Sequence, residues 1–235
     1  MKNIILSMSF SLLMIGNYAN AQLMNTPQMM LTSSITNIKG EAIKDNVYVE
    51  VEGNPYLFND WVNGTVVLMS NQGIPAPLKL DICTNKLLFQ NKEGETLELK
   101  SKITSFTLDN PSTDISDLKP LVFVNGYPAT AKQTENSYYQ LVGDGKTRLL
   151  KFYRKSIDEQ RAYTSATVVK SFKYFQVYYI FKNNQLIEVQ PNKKSIMKVL
   201  DDRPVQLEAY LKDHSVNFKS DADLQRLFIW YNSLS

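Results

Sequence analysis

Between Gly64 and Leu108 apolar and polar positions alternate with a period of two. Leu78, Leu80 and Ile82 fall on one side of their segment and Lys79 and Asp81 on the other; Leu97 and Leu99 are set against Thr96, Glu98 and Lys100 in the same way. Successive side chains of a strand point to opposite faces, so each such segment predicts a strand with one buried and one wet face. Segments 65–69, 78–82, 86–90, 96–100 and 103–108 are joined by short links rich in Asn, Gly and other turn formers. Links of that length join neighbouring antiparallel strands, because a parallel return needs a crossover of about a dozen residues or more. The stretch predicts a meander of about five strands.

The same period extends the β region in both directions. Val47, Val49 and Val51 alternate within 46–52, which predicts a strand ahead of the meander, and 121–124 predicts one after it. Segments 138–142 and 148–153 flank Gly143-Asp144-Gly145-Lys146, where an Asp-Gly centre favours the positive φ of a tight hairpin turn. The aromatic run 172–181 turns at Asn183-Asn184 into 185–189, and its length predicts a central, well-buried strand. The period then changes. Asn192 caps a helix holding Ile196, Val199 and Leu200, and Pro204 opens a second through Val205, Leu207, Tyr210 and Leu211. Ser220-Asp221-Ala222-Asp223 resembles a capping box ahead of Leu224, Leu227, Phe228, Tyr231 and Leu234, which share one helical stripe. The fold class is α+β: a mainly antiparallel sheet, curved or forming a partial barrel, followed by about three C-terminal helices docked on it.

The N-terminus changes the picture of where this fold resides. Lys2, the short apolar run 4–15 and Ala19-Asn20-Ala21 describe a secretory signal peptide cleaved after Ala21, the apolar run being too short to span a bilayer. Residues 22–45 then read as an arm with one edge strand near Met30, 46–191 as the antiparallel β domain and 192–235 as the helical segment. No segment of the mature chain reaches the roughly twenty apolar residues of a transmembrane helix. Removing Lys2 lowers the net charge by one from +3, and a nearly neutral chain offers no electrostatic footprint for nucleic acid or an anionic membrane. Basic and aromatic residues do interleave from Arg148 to Lys182, but strands favour Tyr and Phe, and an exported protein seldom meets nucleic acid.

Candidate chemistry is sparse. Cys83 is the only cysteine, which excludes an intramolecular disulfide; a small buried hydrophobe at a strand end is its expected role. His214 is the only histidine, so a His-rich zinc site is excluded, and its place at a polar helix end suits a C-terminal cap. Asp109, Asp114 and Asp117 lack the D-x-D-x-D-G spacing of a calcium loop and read as loop acids. No phosphate-binding glycine loop occurs, and no cofactor is implied. Carboxylate catalysis would require Asp60, Asp81 and Asp114 to converge in space. Tyr56, Phe58 and Trp61 form a dense aromatic cluster between Gly53 and Gly64. They either plug the open end of the β structure or line a ligand-binding mouth.

Gly53-Asn54-Pro55-Tyr56-Leu57, Asn59-Asp60-Trp61, Gly64, Tyr139-Gln140-Leu141 ahead of Gly145, Lys193-Lys194, Asp223-Leu224 and Tyr231-Asn232 together resemble a group of secreted proteins from Bacteroidota. The resemblance covers most of the mature chain. It implies a periplasmic or extracellular address and carries over no catalytic residue. The expected function is that of an exported, non-catalytic envelope protein that binds a protein or glycan partner, with Phe228 and Tyr231 as the candidate contact on the helices. The alternative is a carrier holding a lipid or other apolar ligand beneath Tyr56, Phe58 and Trp61, which requires an interior larger than side chains can fill.

Overall fold

The computed structural model describes residues 38–43, 48–161 and 168–234. In chain order its strands are β1 (Gly40–Ala42), β2 (Val51–Glu52), β3 (Val62–Leu68), β4 (Gly73–Asp81), β5 (Lys86–Gln90), β6 (Thr96–Leu99), β7 (Ile103–Leu108), β8 (Leu121–Val124), β9 (Tyr139–Gly143), β10 (Arg148–Arg161), β11 (Val168–Lys182) and β12 (Gln185–Val189). Helices α1 (Lys193–Val199), α2 (Pro204–Asp213) and α3 (Asp221–Ser233) follow. One open sheet takes up the described strands in the order β1-β6-β5-β4-β3-β7-β8-β9-β10-β11-β12, with β2 beside β11. The signal peptide and the edge strand expected near Met30 lie outside the described residues.

The expected meander holds from β3 to β6 and then breaks. β7 pairs with β3, from Gly64↔Leu108 to Leu68↔Ile103, not with its sequence neighbour β6. In a flat sheet β6 and β7 would stand four strand spacings apart, about 19 Å. The link 100–102 reaches at most about 14 Å when fully extended. The sheet therefore curls until its first half is nearly a barrel, and Leu99 and Ile103, on either side of that link, enter one core. Gly64 permits a close approach: a side chain there would run into the Thr107 carbonyl of β7.

β4 starts five residues earlier than its alternation suggests, because Pro75 and Pro77 stand in its first half. Both pair with β3, while β5 joins β4 only from Leu78 onward, so neither missing N–H interrupts a ladder. Two other expectations are corrected. Of the strand expected at 46–52, residues 46–47 lie outside the described residues and Val51–Glu52 alone of the rest is strand, since Tyr48–Glu50 turn and Glu50 takes a left-handed φ of 59°. That short strand pairs in parallel with Lys170–Ser171. The aromatic run of β11 is buried only over Tyr178–Ile180; its first half, from Phe172 to Val177, is exposed or half-buried.

Three hydrophobic clusters fill the molecule. Val66, Ile74, Leu78, Phe89, Phe106, Leu108, Leu121 and Phe123 pack inside the curl. Val142, Leu149 and Ile180 on one face of the second half receive Ile196, Leu200, Leu207, Leu224, Leu227 and Phe228 from the helices. Tyr127, Tyr139, Leu150, Phe152 and Tyr179 cover the opposite face. The helix caps form as the sequence suggests: Asn192 accepts from the Ser195 N–H, Ser220 from the Asp223 N–H, and His214 is the C-cap of α2 with Nδ1 3.0 Å from the Tyr210 carbonyl. Among the described residues no helix is long and apolar enough to cross a membrane.

Candidate functional site

The aromatic loop is built by side-chain turns and by the end of β4. Asn54 accepts from the Tyr56 N–H and donates to Asn59, while Leu57 N–H donates to the Leu80 carbonyl and Ile82 N–H to the Pro55 carbonyl. This lays the loop antiparallel along the rim of the curl and separates the aromatics. Phe58, with Leu57, drops into the core. Tyr56 and Trp61 stay half-buried on the outside and flank Lys79, whose ammonium lies 4.6 and 5.1 Å from their ring centres. Burial lowers the Lys79 pKa, and the charge of Asp60 partly restores it. Phe58 thus plugs, and the other two clamp a cation. The interior that a carrier needs is occupied at this end by Leu57 and Phe58 and at its centre by Phe106 and Phe123, stacked 4.8 Å apart.

Phe228 and Tyr231 face the protein's own sheet. Phe228 is buried against Gly143, where a Cβ would collide with it, and Tyr231 donates its hydroxyl to Asp202. Neither is presented to a partner; the outer side of α3 carries exposed Ile229 and a half-buried Trp230, stacked on Tyr210 at 4.2 Å.

Beneath the start of α3 lies a polar cluster that no sequence spacing announces. Lys151 and Asp221, 3% and 1% exposed, form an ion pair of 2.9 Å. Lys151 also donates to the Ile115 carbonyl, and the Tyr178 hydroxyl donates to the second Asp221 oxygen at 2.7 Å. Burial lowers the Lys151 pKa, against the pull of Asp221, and pushes that of Tyr178 up. Asp117, on the loop between β7 and β8, accepts from the Ser220 hydroxyl and the Ala222 N–H. These contacts satisfy the N-terminus of α3 and tie it to the sheet; two of the three Lys151 donors are turned to Asp221 and Ile115. Asp114 lines the shallow cleft above this pair, whereas Asp81 accepts from Tyr48 and from the Cys83 and Thr84 N–H groups at the end of β4. Of the three acids considered for catalysis, Asp81 is thus engaged at the strand end, Asp60 lies near Lys79 on the aromatic loop and Asp114 lines the cleft by α3. The Cys83 thiol is pushed up by burial, which removes thiolate character.

What the sequence did not single out is the length of the β10–β11 hairpin. The two strands pair continuously from Arg148↔Phe181 to Arg161↔Val168. β9 accompanies β10 only over Leu149–Lys151, and β12 accompanies β11 only over Tyr178–Lys182. Past Tyr153 the hairpin leaves β9 and β12 behind; β2 flanks β11 at Lys170–Ser171, and the last pairs, Gln160↔Val169 and Arg161↔Val168, continue as a two-stranded ribbon. Its base is braced: Lys155 N–H donates to the Ile82 carbonyl, Lys155 Nζ to the Asn54 and Tyr56 carbonyls, and Tyr48 packs edge-on against Phe172 at 5.3 Å. The hairpin exposes Tyr174 near its base and Ile157, Val168 and Val169 further out, among Asp158, Glu159, Arg161 and Lys173. The four polar residues 158–161 carry no apolar alternation, so periodicity gave no signal there.

Comparison of the chain with protein-family models, curated proteins and solved structures finds no match in any of the three.

Proposed function

We propose that the chain is an exported, non-catalytic envelope protein that engages a protein partner through the β10–β11 ribbon. The ribbon carries this reading. A two-stranded hairpin is marginal in water by itself, yet past β9 and β12 this one has only the two-residue β2 beside it and still leaves four large apolar side chains exposed. Apolar groups grouped on one projecting element, ringed by charge, have the composition of a contact surface. The charges at 158–161 also guard the open edge of β10 against indiscriminate strand pairing. Export rests on the signal-peptide pattern of residues 1–21 and on the resemblance to secreted Bacteroidota proteins. With a single cysteine, the fold is held without an intramolecular disulfide.

The test places a photo-crosslinking amino acid at Ile157 or Val169 on the ribbon, and at Val205, exposed on α2, as the control. In the envelope of the native host the ribbon positions should give one discrete protein adduct that Val205 does not, on a mature chain beginning at Gln22. Equal labelling from all three positions would sink the ribbon as the interface, and a retained N-terminus would sink the export reading.

A further inference from the structure

We propose that the cleft at the waist of the molecule, where the curled half of the sheet meets the second half, binds an anionic sugar unit. This stands independently of the ribbon. The cleft encloses about 410 Å³ between the β4–β5 turn, β6, the 132–138 segment and the start of the ribbon. A space of that order suits a small-molecule site and holds one or two sugar rings.

Its charge and its lining point the same way. Lys86, Glu98, Lys132 and Arg154 are the charged residues of the wall. Lys86 and Glu98 neutralise each other at 2.7 Å, which leaves Lys132 and Arg154 as exposed cations with no carboxylate in ion-pair reach among the described residues. Arg154 is held in place, its guanidinium 4.8 Å from the centre of the Phe175 ring. A guanidinium oriented by an aromatic face retains its fork of donors for a carboxylate or phosphate. The rest of the wall supplies hydroxyls and amides from Thr84, Asn85, Thr134, Asn136 and Ser137. One of these, Asn85, is fixed across the waist: its amide donates to the Asn136 backbone carbonyl at 3.2 Å and accepts from the Tyr138 N–H at 3.1 Å. Neutral hydroxyl-matching groups beside two uncompensated cations fit a polyhydroxylated ring bearing an acid. A hexuronate and a sugar phosphate share that chemistry.

Titration of the isotope-labelled protein with glucuronate, glucose 6-phosphate, glucose and inorganic phosphate, followed by amide NMR, decides the matter. Glucuronate, glucose 6-phosphate or both should move the amides of Thr84, Asn85 and the 134–138 segment, and salt should weaken the binding. Preference for the first marks a uronic acid ligand and for the second a phosphorylated one. K132M and R154M, at exposed side chains whose loss leaves the core intact, should each weaken binding about tenfold. Glucose acting as strongly as the acids, inorganic phosphate reproducing the full response, unchanged affinity in both variants, or no shifts with either acid would each overturn the proposal.

Discussion

At the scale of single residues the decisive chemistry is buried and structural. Lys151 and Asp221 stand seventy positions apart in the chain and meet where almost no water reaches them. Such a pair contributes little net stability when intact, because desolvation offsets the attraction, but losing one member leaves the other charged and unpaired. Lys151→Met should therefore destabilise the protein by about 3–5 kcal/mol in urea titrations. Asp221→Asn should cost less, since the amide oxygen still accepts from Tyr178 or Lys151. In the double variant the two losses should be strongly non-additive. A loss under about 1 kcal/mol for Lys151→Met would mean that the ammonium contributes nothing that a methionine cannot replace.

At the scale of elements the three helices are tied to the sheet through a corner. Asp202, between α1 and α2, accepts from Lys182 at the end of β11 at 2.7 Å and from Tyr231 of α3. Partial burial works against its charge, but the hydrogen bonds from Lys182 and Tyr231 outweigh it and bring its pKa down to about 2 from 3.8. A carboxylate depressed in the folded state adds stability that is complete above its unfolded pKa and disappears as pH falls through the folded one. The window here runs from about pH 4 down to about pH 2. Because the side chain is 46% exposed, solvent screening keeps the contribution small. The thermal midpoint of the native protein should fall across that window, and Asp202→Asn should start lower but decline less steeply; parallel curves would remove the corner from the acid response. Much of this element layout was legible. The caps at Asn192, Ser220 and His214, the Asn183-Asn184 turn and most strands follow from local chemistry written in a few adjacent residues. Partner choice was not, because it depends on curvature: nothing in 100–108 says that β7 bypasses β6 for β3. Nor were ribbon, waist cleft and Lys151–Asp221 pair, each assembled from residues far apart in sequence. Phe228 and Tyr231 lay on the stripe that periodicity identifies, and a stripe tells that a face is covered without telling by what.

At the scale of the whole molecule the question is whether the curled half and the helix-covered half fold as one unit. The sheet runs without interruption from β7 through β8 and β9 into β10. Leu118 packs against the core inside the curl and the core beneath the helices at once, and Tyr153 of β10 belongs to the first core although its strand lies in the second half. The loop that carries Leu118 is pinned at one end by Asn110, which donates to the Ser116 and Leu118 carbonyls, and at the other by Asp117 on α3. Disordering either half would strip apolar surface and hydrogen bonds from the other, which is the condition for a single cooperative transition. The chain supplies its own reporters, since its two tryptophans lie one in each half: Trp61 against Lys79 on the rim of the curl, Trp230 against Tyr210 on the helices. In Trp61→Phe and Trp230→Phe variants the remaining indole reports one half alone. Urea transitions of the two variants, corrected for any shift seen by circular dichroism, should coincide in midpoint and slope. If the Trp230 signal moved at clearly lower urea, the helices and the second half would be a separable unit, and ties through Leu118, Tyr153 and Asp117 would be too weak to couple them.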